Sequence, residues 1–470
     1  MKKLHCLVYS ITALLLIGQL NAAPVSITKA TLVAENFYRH HIQEAVDNAQ
    51  VAYRMAASRG GQSALYVVNV NSGFVVVSGD DRMVPVLGYS DQGNFEESNC
   101  PIQLMELLRS YREAFEAITA NVTAPNEDLS EMWDNMVLDV WRDAQRGVPV
   151  VEPLLTNNNW QQNNGYNYYC PADANGPAGH AYVGCVALAM GQVMHYWQHP
   201  SKGTGSHTYE CNHSSSQAGN YPDYGTLTAN FGNTTYNYSL MPNYLDGSTP
   251  SNQILAVAKL LYHCGVAVDM FYGPEGSMAF HDDIADAMEQ YFKYDSCLTL
   301  WQSSYSGDWD EMLKADLDAG RPIIYCAYAN EGGHEFVCDG YDDQDFFHFN
   351  WGWGGLHNGY FLTSNMNPSF VFNSSHGVVA HIQPKSDVGV ADHLLDAPRV
   401  YPNPATEAVT VEADGMTSVE LVDLLGRTIR TTVADGEIVI LPVNHLEPGT
   451  YVLRVHYQDS SRSESKLIIQ

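Results

Sequence analysis

Apolar and polar residues alternate differently in three successive stretches of the chain. The first stretch, residues 24–147, has both helical and strand periodicity. Its pattern predicts a helix over 30–54, the two strands of a hairpin over 64–70 and 74–78, and an amphipathic helix over 102–118. A charged helix follows, and the sequence Gly147-Val148-Pro149 predicts a linker and cleavage zone. This stretch therefore predicts a small α+β domain.

The second stretch, residues 148–385, opens irregularly and then predicts a strongly apolar helix that begins at Cys185. Its second half has the short apolar runs of strands, at 322–329, 335–339, 346–350 and 360–362. Helices first and strands later are typical of an α+β fold.

The third stretch, residues 386–470, has a different pattern. Short alternating runs are separated by turns that contain glycine and proline, and the runs lie at 408–412, 419–422, 437–441 and 451–455. Closely spaced short strands of this kind predict a small β-sandwich.

Residues 1–23 have the composition of a secretory signal peptide. Lys2 and Lys3 give a charged start, an apolar run covers 6–20, and Ala22 and Ala23 supply small residues for cleavage. We expect this segment to be removed during export. No later run is long and apolar enough to predict a membrane span.

Length, charge and cysteine content bear on the number of domains, the partners and the role of the cysteines. A chain of 470 residues predicts about three domains. Its net charge of −30 would repel nucleic acid and anionic lipid, so neither is expected as a partner. The 9 cysteines are widely spaced without a CxxC pair, and most are expected to be small buried hydrophobes.

Cys185 is the first candidate for chemistry, because it stands at the predicted start of the apolar helix, directly after Gly184. Unpaired N–H groups at a helix start carry partial positive charge and can lower the pKa of a thiol. Gly184 would allow a sharp turn and a close approach of substrate. A structural cysteine in an apolar helix is the alternative.

His334 is the second candidate. It follows Gly332 and Gly333, which leave space around its ring, and a predicted strand begins after it. A histidine in this setting can take a proton from a thiol and return it to a leaving amine. The alternatives are a packed or surface histidine, or a metal ligand with Cys338. Four residues of strand would hold His334 and Cys338 too far apart to chelate one ion comfortably, so no metal or cofactor is expected.

The aromatic and glycine-rich sequence at 346–355 supplies a third group. If residues 341–344 form the loop of a hairpin, Gly340 faces Asp345 and His334 faces Trp351, whose indole would shield the imidazole from water. Asn350 could then accept a hydrogen bond from the ring and fix its tautomer. In the polar loop 160–167, the amide of Gln162 could donate to an oxyanion.

Together these motifs resemble those of streptopain and its relatives, the interpain-type proteases of oral Bacteroidetes. The similarity covers about 24–385 and rests on the motifs at 184–196, 333–340 and 350–355, with a substrate-side loop at 272–277. It implies a papain-like fold and an endopeptidase of broad specificity that favours an apolar residue at P2.

The resemblance also implies roles for individual residues. Cys185 would be the nucleophile, His334 the base and Gln162 the oxyanion donor, with Asn350 or Trp351 as the third member. The backbone around Gly333 and Ser277 would contact substrate. Glu335 departs from the family, which has a small residue there, and an added carboxylate would alter the pKa of the base or the local pocket.

The flanking stretches have resemblances of their own. Residues 73–80 and 86–90 are similar to the family's propeptide, which implies an inhibitory unit over 24–147 and cleavage near Gly147. Residues 401–405, 448–452 and 466–470 are similar to the sorting domain of type IX secretion cargo, which implies passage across the outer membrane to the surface or beyond.

The implied partners are protein substrates of a host or the environment, the chain's own propeptide and the type IX secretion machinery. Two alternative functions remain: an acyltransferase that uses the same Cys–His pair, and a non-catalytic scaffold that binds host proteins.

Overall fold

The structure is a computed structural model that covers most of the chain. It describes residues 23–125, 127–141, 148–212, 221–329, 332–364, 366–367, 376–385, 398–413, 415–422, 427–434, 436–457 and 462–470. Most of the predicted signal peptide, the residues just before the predicted cleavage zone at Val148, and the segment that begins the third predicted domain lie outside these residues. The domain boundaries drawn from the sequence there stay predictions.

The chain divides into two compact units, Met1–Lys385 and Ser386–Gln470. In the first unit the α-helices are α1 (Ile27–His41), α2 (Ile102–Asn121), α3 (Glu127–Val137), α4 (Cys185–Trp197), α5 (Ser251–Ala267), α6 (Asp283–Phe292) and α7 (Trp309–Asp318). Its strands are β1 (Ala49–Ala56), β2 (Ser63–Val70), β3 (Gly73–Ser78), β4 (Val86–Ser90), β5 (Pro149–Val151), β6 (His207–Cys211), β7 (Gly225–Ala229), β8 (Leu298–Trp301), β9 (Ile323–Ala329), β10 (Gly332–Asp342), β11 (Phe347–Asn350), β12 (Gly359–Phe361) and β13 (His376–Ala380).

One 11-stranded sheet runs through the first unit in the order β1-β2-β3-β4-β12-β11-β10-β9-β13-β8, with β5 paired to β10 off this path. The four strands of the predicted propeptide join the strands of the predicted peptidase domain where β4 pairs antiparallel with β12. A sheet that crosses this junction makes the propeptide a structural part of the same layer rather than a loosely attached segment.

Each face of the sheet carries its own apolar core. Successive residues of a strand point to opposite faces, and on β9 Ile323 and Tyr325 enter one core while Ile324 enters the other. The first core is closed by α1, α2, α3 and α7, and the second by α4, α5 and α6. The helix that begins at Cys185 therefore lies on the face opposite most of the propeptide helices.

Several elements agree with the sequence-based predictions, namely the hairpin of β2 and β3, the amphipathic helix α2 and the apolar helix α4. The predicted helix over 30–54 is wrong in its second half, because α1 ends at His41 and β1 begins at Ala49. Strand β1 alternates partly buried and exposed residues along most of its length, which is the period of a strand and not of a helix. Helices α5, α6 and α7 were not predicted.

The second unit has strands β14 (Arg399–Tyr401), β15 (Ala408–Glu412), β16 (Met416–Val422), β17 (Thr428–Val433), β18 (Ile438–Pro442), β19 (Gly449–Tyr457) and β20 (Arg462–Ile469). They form one sheet of three strands and one of four. Residues of both sheets, Val409 and Val411 on β15 and Val419 and Leu421 on β16, share one apolar core. The predicted β-sandwich is therefore present.

No helix among the described residues combines the length and apolar character that crossing a membrane requires.

The junction between β4 and β12 yields a prediction for stability. Gly88 faces Phe361, and a Cβ at this glycine would lie 2.3 Å from the ring of Phe361, which is fully buried against Trp351. We expect Gly88→Ala to destabilise the full chain by roughly 1–3 kcal/mol through overpacking, and to lower its Tm by a few degrees in calorimetry.

The comparison is made in a Cys185→Ala background, so that no variant can process itself. Gly247→Ala serves as the control, because a Cβ there meets open space at an ordinary φ. An unchanged Tm in Gly88→Ala would show that β4 and β12 do not pack as described.

Candidate active site

Helix α4 begins at Cys185 because the residue before it can adopt a backbone conformation that other residues avoid. Gly184 has φ +89°, and a Cβ there would lie 2.7 Å from the side chain of Met270. The turn delivers Cys185 to the first position of the helix, where the thiol lies against the floor of a cleft. The predicted placement of Cys185 at a helix start is confirmed.

The thiol of Cys185 is nearly buried, with 7% of the residue exposed. It donates a hydrogen bond to Oε2 of Glu335 at 3.5 Å. Burial raises the pKa of Cys185 above its ordinary value, and the negative charge of Glu335 raises it further. The expectation of a lowered pKa is therefore wrong for this form of the chain, because desolvation and a neighbouring carboxylate outweigh the helix start.

His334 lies on β10, half-buried, and lines the same cleft as Cys185. Burial lowers the pKa of its imidazole, the charge of Glu335 acts in the opposite direction, and Arg109 of the propeptide helix α2 lowers the pKa further. The side chain that Cys185 bonds is Glu335 and not His334. The cleft thus contains both Cys185 and His334, but the thiol of Cys185 is hydrogen-bonded to a third residue, Glu335.

The hairpin of β10 and β11 has a different register from the one predicted. Gly340 pairs with His348 rather than Asp345, and Val337 pairs with Asn350. A β-bulge between Cys338 and Gly340 shifts the register. Buried Asp339 lies at this bulge, where its carboxylate accepts the backbone N–H of Leu155 at 2.9 Å and contacts Nδ1 of His348 at 2.6 Å.

Asn350 is part of an amide network behind the cleft. Its Nδ2 donates to the backbone oxygen of Asn158 at 2.8 Å, and its Oδ1 accepts from Nε2 of Gln192 and from the backbone N–H of Gly352, both at 3.1 Å. The described donors fill both lone pairs of this oxygen, so the contacts of Asn350 stabilise the loop after β11. The sequence-based interpretation had not singled out Gln192 or Asn158.

Trp351 is fully buried, and its indole N–H donates to the backbone oxygen of His357 at 2.7 Å. Its ring lies 4.8 Å from that of Phe336, measured between ring centroids, and 5.4 Å from that of Phe349. Phe336 is the second residue after His334 on β10. The tryptophan therefore supports the strand that carries His334.

Two further predicted site residues, Gln162 and Ser277, line the same cleft, which has a volume of about 250 Å³. The cleft is lined by Ile102, Gln161, Gln162, Asn163, Tyr182, Cys185, Glu275, Gly276, Ser277, His334, Gly352 and Trp353.

Two of these residues are held by contacts to the segment before Cys185. The backbone oxygen of Gln162 accepts the N–H of Val183 at 3.1 Å. The hydroxyl of Ser277 donates to the backbone oxygen of Tyr182 at 2.7 Å and accepts the N–H of Gly273 at 3.0 Å. Gly333 lies next to His334 on β10, where its backbone pairs with β9. The structure thus brings Gln162 and Ser277 next to the segment that leads into Cys185.

The propeptide contributes residues to the cleft that the sequence-based interpretation did not single out. Ile102, the first residue of α2, lines it, and Gln103 accepts a hydrogen bond from the indole N–H of Trp353 at 2.7 Å. Trp353 stands in the glycine-rich segment that resembles the protease family. The start of α2 is therefore attached to the wall of the cleft and restricts access to it.

Comparisons with known proteins agree with this architecture. Residues 160–361 match the profile of the peptidase C10 family, residues 22–115 that of the Spi protease inhibitor, and residues 399–470 that of the secretion system C-terminal sorting domain. The chain thus combines an inhibitory propeptide, a peptidase and a sorting domain in one polypeptide.

Relatives of known identity support the same class. The chain is 31% identical to streptopain of Streptococcus pyogenes over 345 residues, which cover 68% of this chain and 81% of that protein. It is 29% identical to the thiol protease/hemagglutinin PrtT of Porphyromonas gingivalis over 83% of this chain, and spans 44% of that longer protein. Among solved structures, a prointerpain A fragment of Prevotella intermedia has 28% identity and a TM-score of 0.56, and covers 71% of this chain and 98% of its own.

These findings define a cysteine peptidase that is made with its own inhibitory propeptide. The chain belongs to the peptidase C10 family, that of streptopain. Its sorting domain, of the type IX secretion kind, makes it a secreted or cell-surface protein.

The contact between Cys185 and Glu335 yields a prediction for the thiol. Because a nearby carboxylate disfavours the thiolate, Glu335→Gln should lower the pKa of Cys185. The pH midpoint for alkylation of the Cys185 peptide by iodoacetamide, followed by mass spectrometry, should shift to lower pH. Both chains, with Glu335 and with Glu335→Gln, carry His334→Ala. This substitution prevents self-processing and leaves Cys185 in place.

Cys297 serves as the internal control, because burial and then Glu289 and Asp295 raise its pKa independently of Glu335. A Cys185 midpoint that stays in place, or moves to higher pH, would show that Glu335 does not govern this thiol.

Proposed function

We propose that this chain is the zymogen of a secreted endopeptidase that hydrolyses peptide bonds with Cys185 as nucleophile and His334 as general base. The observation that carries the proposal is the common cleft that Cys185, His334 and Gln162 line. Cys185 stands at the start of α4, and His334 projects from β10, a strand that packs against this helix. The cleft is open to a polypeptide once the propeptide has left.

The reaction begins when His334 takes the proton of the thiol, and the thiolate attacks the carbonyl carbon of a peptide bond. Negative charge develops on the carbonyl oxygen, where the side-chain amide of Gln162 and the backbone N–H of Cys185 donate hydrogen bonds. Protonated His334 then gives its proton to the leaving amine, and an acyl-enzyme forms on Cys185. The same imidazole deprotonates water, which releases the acid product and the thiol.

We infer that the chain is latent while its propeptide is attached, for two physical reasons. The start of α2 is attached to Trp353 at the wall of the cleft. Burial and Glu335 also raise the pKa of Cys185, so the thiol keeps its proton at neutral pH. Removal of residues 24–147 by cleavage near Val148 would expose the cleft to water and substrate.

Substrate choice follows from the family resemblance. We infer that the substrates are proteins of the host or the surroundings, cleaved with broad specificity and with an apolar residue favoured at P2. Ser277 and the backbone at Gly333 would contact the bound chain. The type IX secretion machinery would recognise the sorting domain during export.

The role of Cys185 is tested by its removal. Cys185→Ala should abolish both hydrolysis of casein and self-processing of the full chain, because Cys185 carries the only thiol among the described residues that line the cleft. Intact mass after incubation reports both outcomes together with the cleavage site. Mature-length product from purified Cys185→Ala, free of other proteases, would contradict the assignment.

The role of Gln162 is tested through kinetics on the processed enzyme. Gln162→Ala removes one oxyanion donor. It should reduce kcat by roughly 10²–10³-fold, with little change in KM, because the donor acts on charge that appears only in the transition state. Gln161→Ala is the matched control, since it removes the same side chain from the neighbouring position. Equal losses in both variants would show that the loop, and not the Gln162 amide, matters.

A further inference from the structure

Three buried side chains from separate parts of the sequence lie close together, and one of them, Glu335, bonds the thiol of Cys185. His281 precedes α6, Cys326 lies on β9, and Glu335 lies on β10. One nitrogen, one sulfur and one carboxylate oxygen from these residues all lie within 4.8 Å of one another. Their exposed fractions are 1%, 0% and 3%, so the group is closed to bulk water.

The surrounding backbone sets this arrangement. Cys326 and Glu335 are direct partners across the antiparallel pair of β9 and β10, so both side chains project from the same face of the sheet. On the other neighbouring strand, a Cβ at Gly377 would lie 2.9 Å from Sγ of Cys326, which leaves the sulfur little freedom. The ring of His281 packs edge-to-face on Trp301, with 5.2 Å between ring centroids.

The polar atoms of this group lack the hydrogen bonds that buried groups normally make. Within the described residues, neither ring nitrogen of His281 nor Oε1 of Glu335 has a hydrogen-bond partner. Nδ1 of His281 lies 3.3 Å from that same oxygen, within ion-pair distance but without the geometry of a hydrogen bond. Buried polar atoms without partners are costly, and a cation placed among them would satisfy the nitrogen and the oxygen together.

A fourth donor is already in contact. The thiol of Cys185 bonds the other carboxylate oxygen of Glu335 at 3.5 Å, which places a second sulfur beside the group of His281, Cys326 and Glu335. This donor set and number suit a tetrahedral Zn²⁺ site, whereas Mg²⁺ and Ca²⁺ prefer oxygen ligands alone.

We propose that His281, Cys326, Glu335 and Cys185 form a zinc site that captures the nucleophile. On binding, each thiol loses its proton to water and its sulfur bonds the metal, without any change of oxidation state. Coordination draws electron density from the sulfur of Cys185 and fixes its position, so the metal blocks attack on a substrate carbonyl reversibly. The inhibitory consequence rests on the proposed role of Cys185, whereas the site itself does not.

Binding is tested first without reference to activity. The full chain carrying His334→Ala cannot process itself and retains all four donors. After metal removal with EDTA and buffer exchange, it is titrated with Zn²⁺ in a calorimeter and with Co²⁺ in a spectrophotometer. We expect one ion per chain, the visible bands of tetrahedral Co²⁺ and a thiolate-to-cobalt charge-transfer band.

Near-isosteric variants in the same background assign the ligands. Cys326→Ser and Glu335→Gln should each weaken Zn²⁺ binding by more than roughly tenfold, the smallest loss seen even for outer contacts of metal sites. Cys185→Ala should keep a weaker site with reduced charge-transfer intensity. Cys264→Ser is the matched control, because this buried thiol contacts Met194 and not the cluster. Circular dichroism of each metal-free variant establishes that it is folded.

Two results would overturn the zinc site: no tetrahedral Co²⁺ spectrum in the His334→Ala chain, or unchanged Zn²⁺ affinity in both folded variants, Cys326→Ser and Glu335→Gln.

Activity of the processed wild type separates this proposal from the proposed function. We expect hydrolysis in EDTA, a loss of at least tenfold on addition of Zn²⁺, and a smaller loss in Cys326→Ser. Hydrolysis that Zn²⁺ leaves unchanged would overturn zinc capture while leaving the peptidase intact. If the chain does not hydrolyse substrate in EDTA but gives the spectrum of tetrahedral Co²⁺, the proposed peptidase function would be contradicted. The proposed metal site would not be affected by that result.

Discussion

The antiparallel pairing of β9 with β10, packed against the start of α4, is the constraint on which the rest of this structure depends. It places His334 on the wall of the cleft and brings Glu335 to the thiol of Cys185. The same strands continue the sheet through β11 and β12 to the propeptide. A change in this pairing would therefore alter the position of His334, the contact between Glu335 and Cys185, and the attachment of the inhibitory unit together.

The latency that we propose rests on two physical effects that act on the thiol of Cys185. Burial removes water that would otherwise stabilise the thiolate, and the carboxylate of Glu335 adds negative charge beside it. The propeptide contributes to the closed state through the start of α2, where Gln103 bonds Trp353. Because its four strands belong to the same sheet as the peptidase strands, its release requires the loss of main-chain hydrogen bonds between β4 and β12 as well as these side-chain contacts.

The parts of the fold with strong local signals were predictable from the sequence. The turn at Gly184 and the apolar spacing after Cys185 predicted α4, and two strand-like runs on either side of a turn at residues 71–73 predicted the hairpin of β2 and β3. The register of β10 and β11 was not predictable, because the bulge at Asp339 depends on contacts with Leu155 and His348. The group of His281, Cys326 and Glu335 left no signal in the sequence either. These residues come together through the pairing of strands, and their spacing along the chain does not reveal it.

A crystal structure of the processed enzyme after reaction with a peptidyl epoxide would show whether Cys185 and His334 form one reactive pair once the propeptide has gone. We expect a covalent bond between the inhibitor and Sγ of Cys185, with a ring nitrogen of His334 within about 3.5 Å of that sulfur. An adduct on another residue, or a His334 ring well beyond contact with the sulfur, would contradict it.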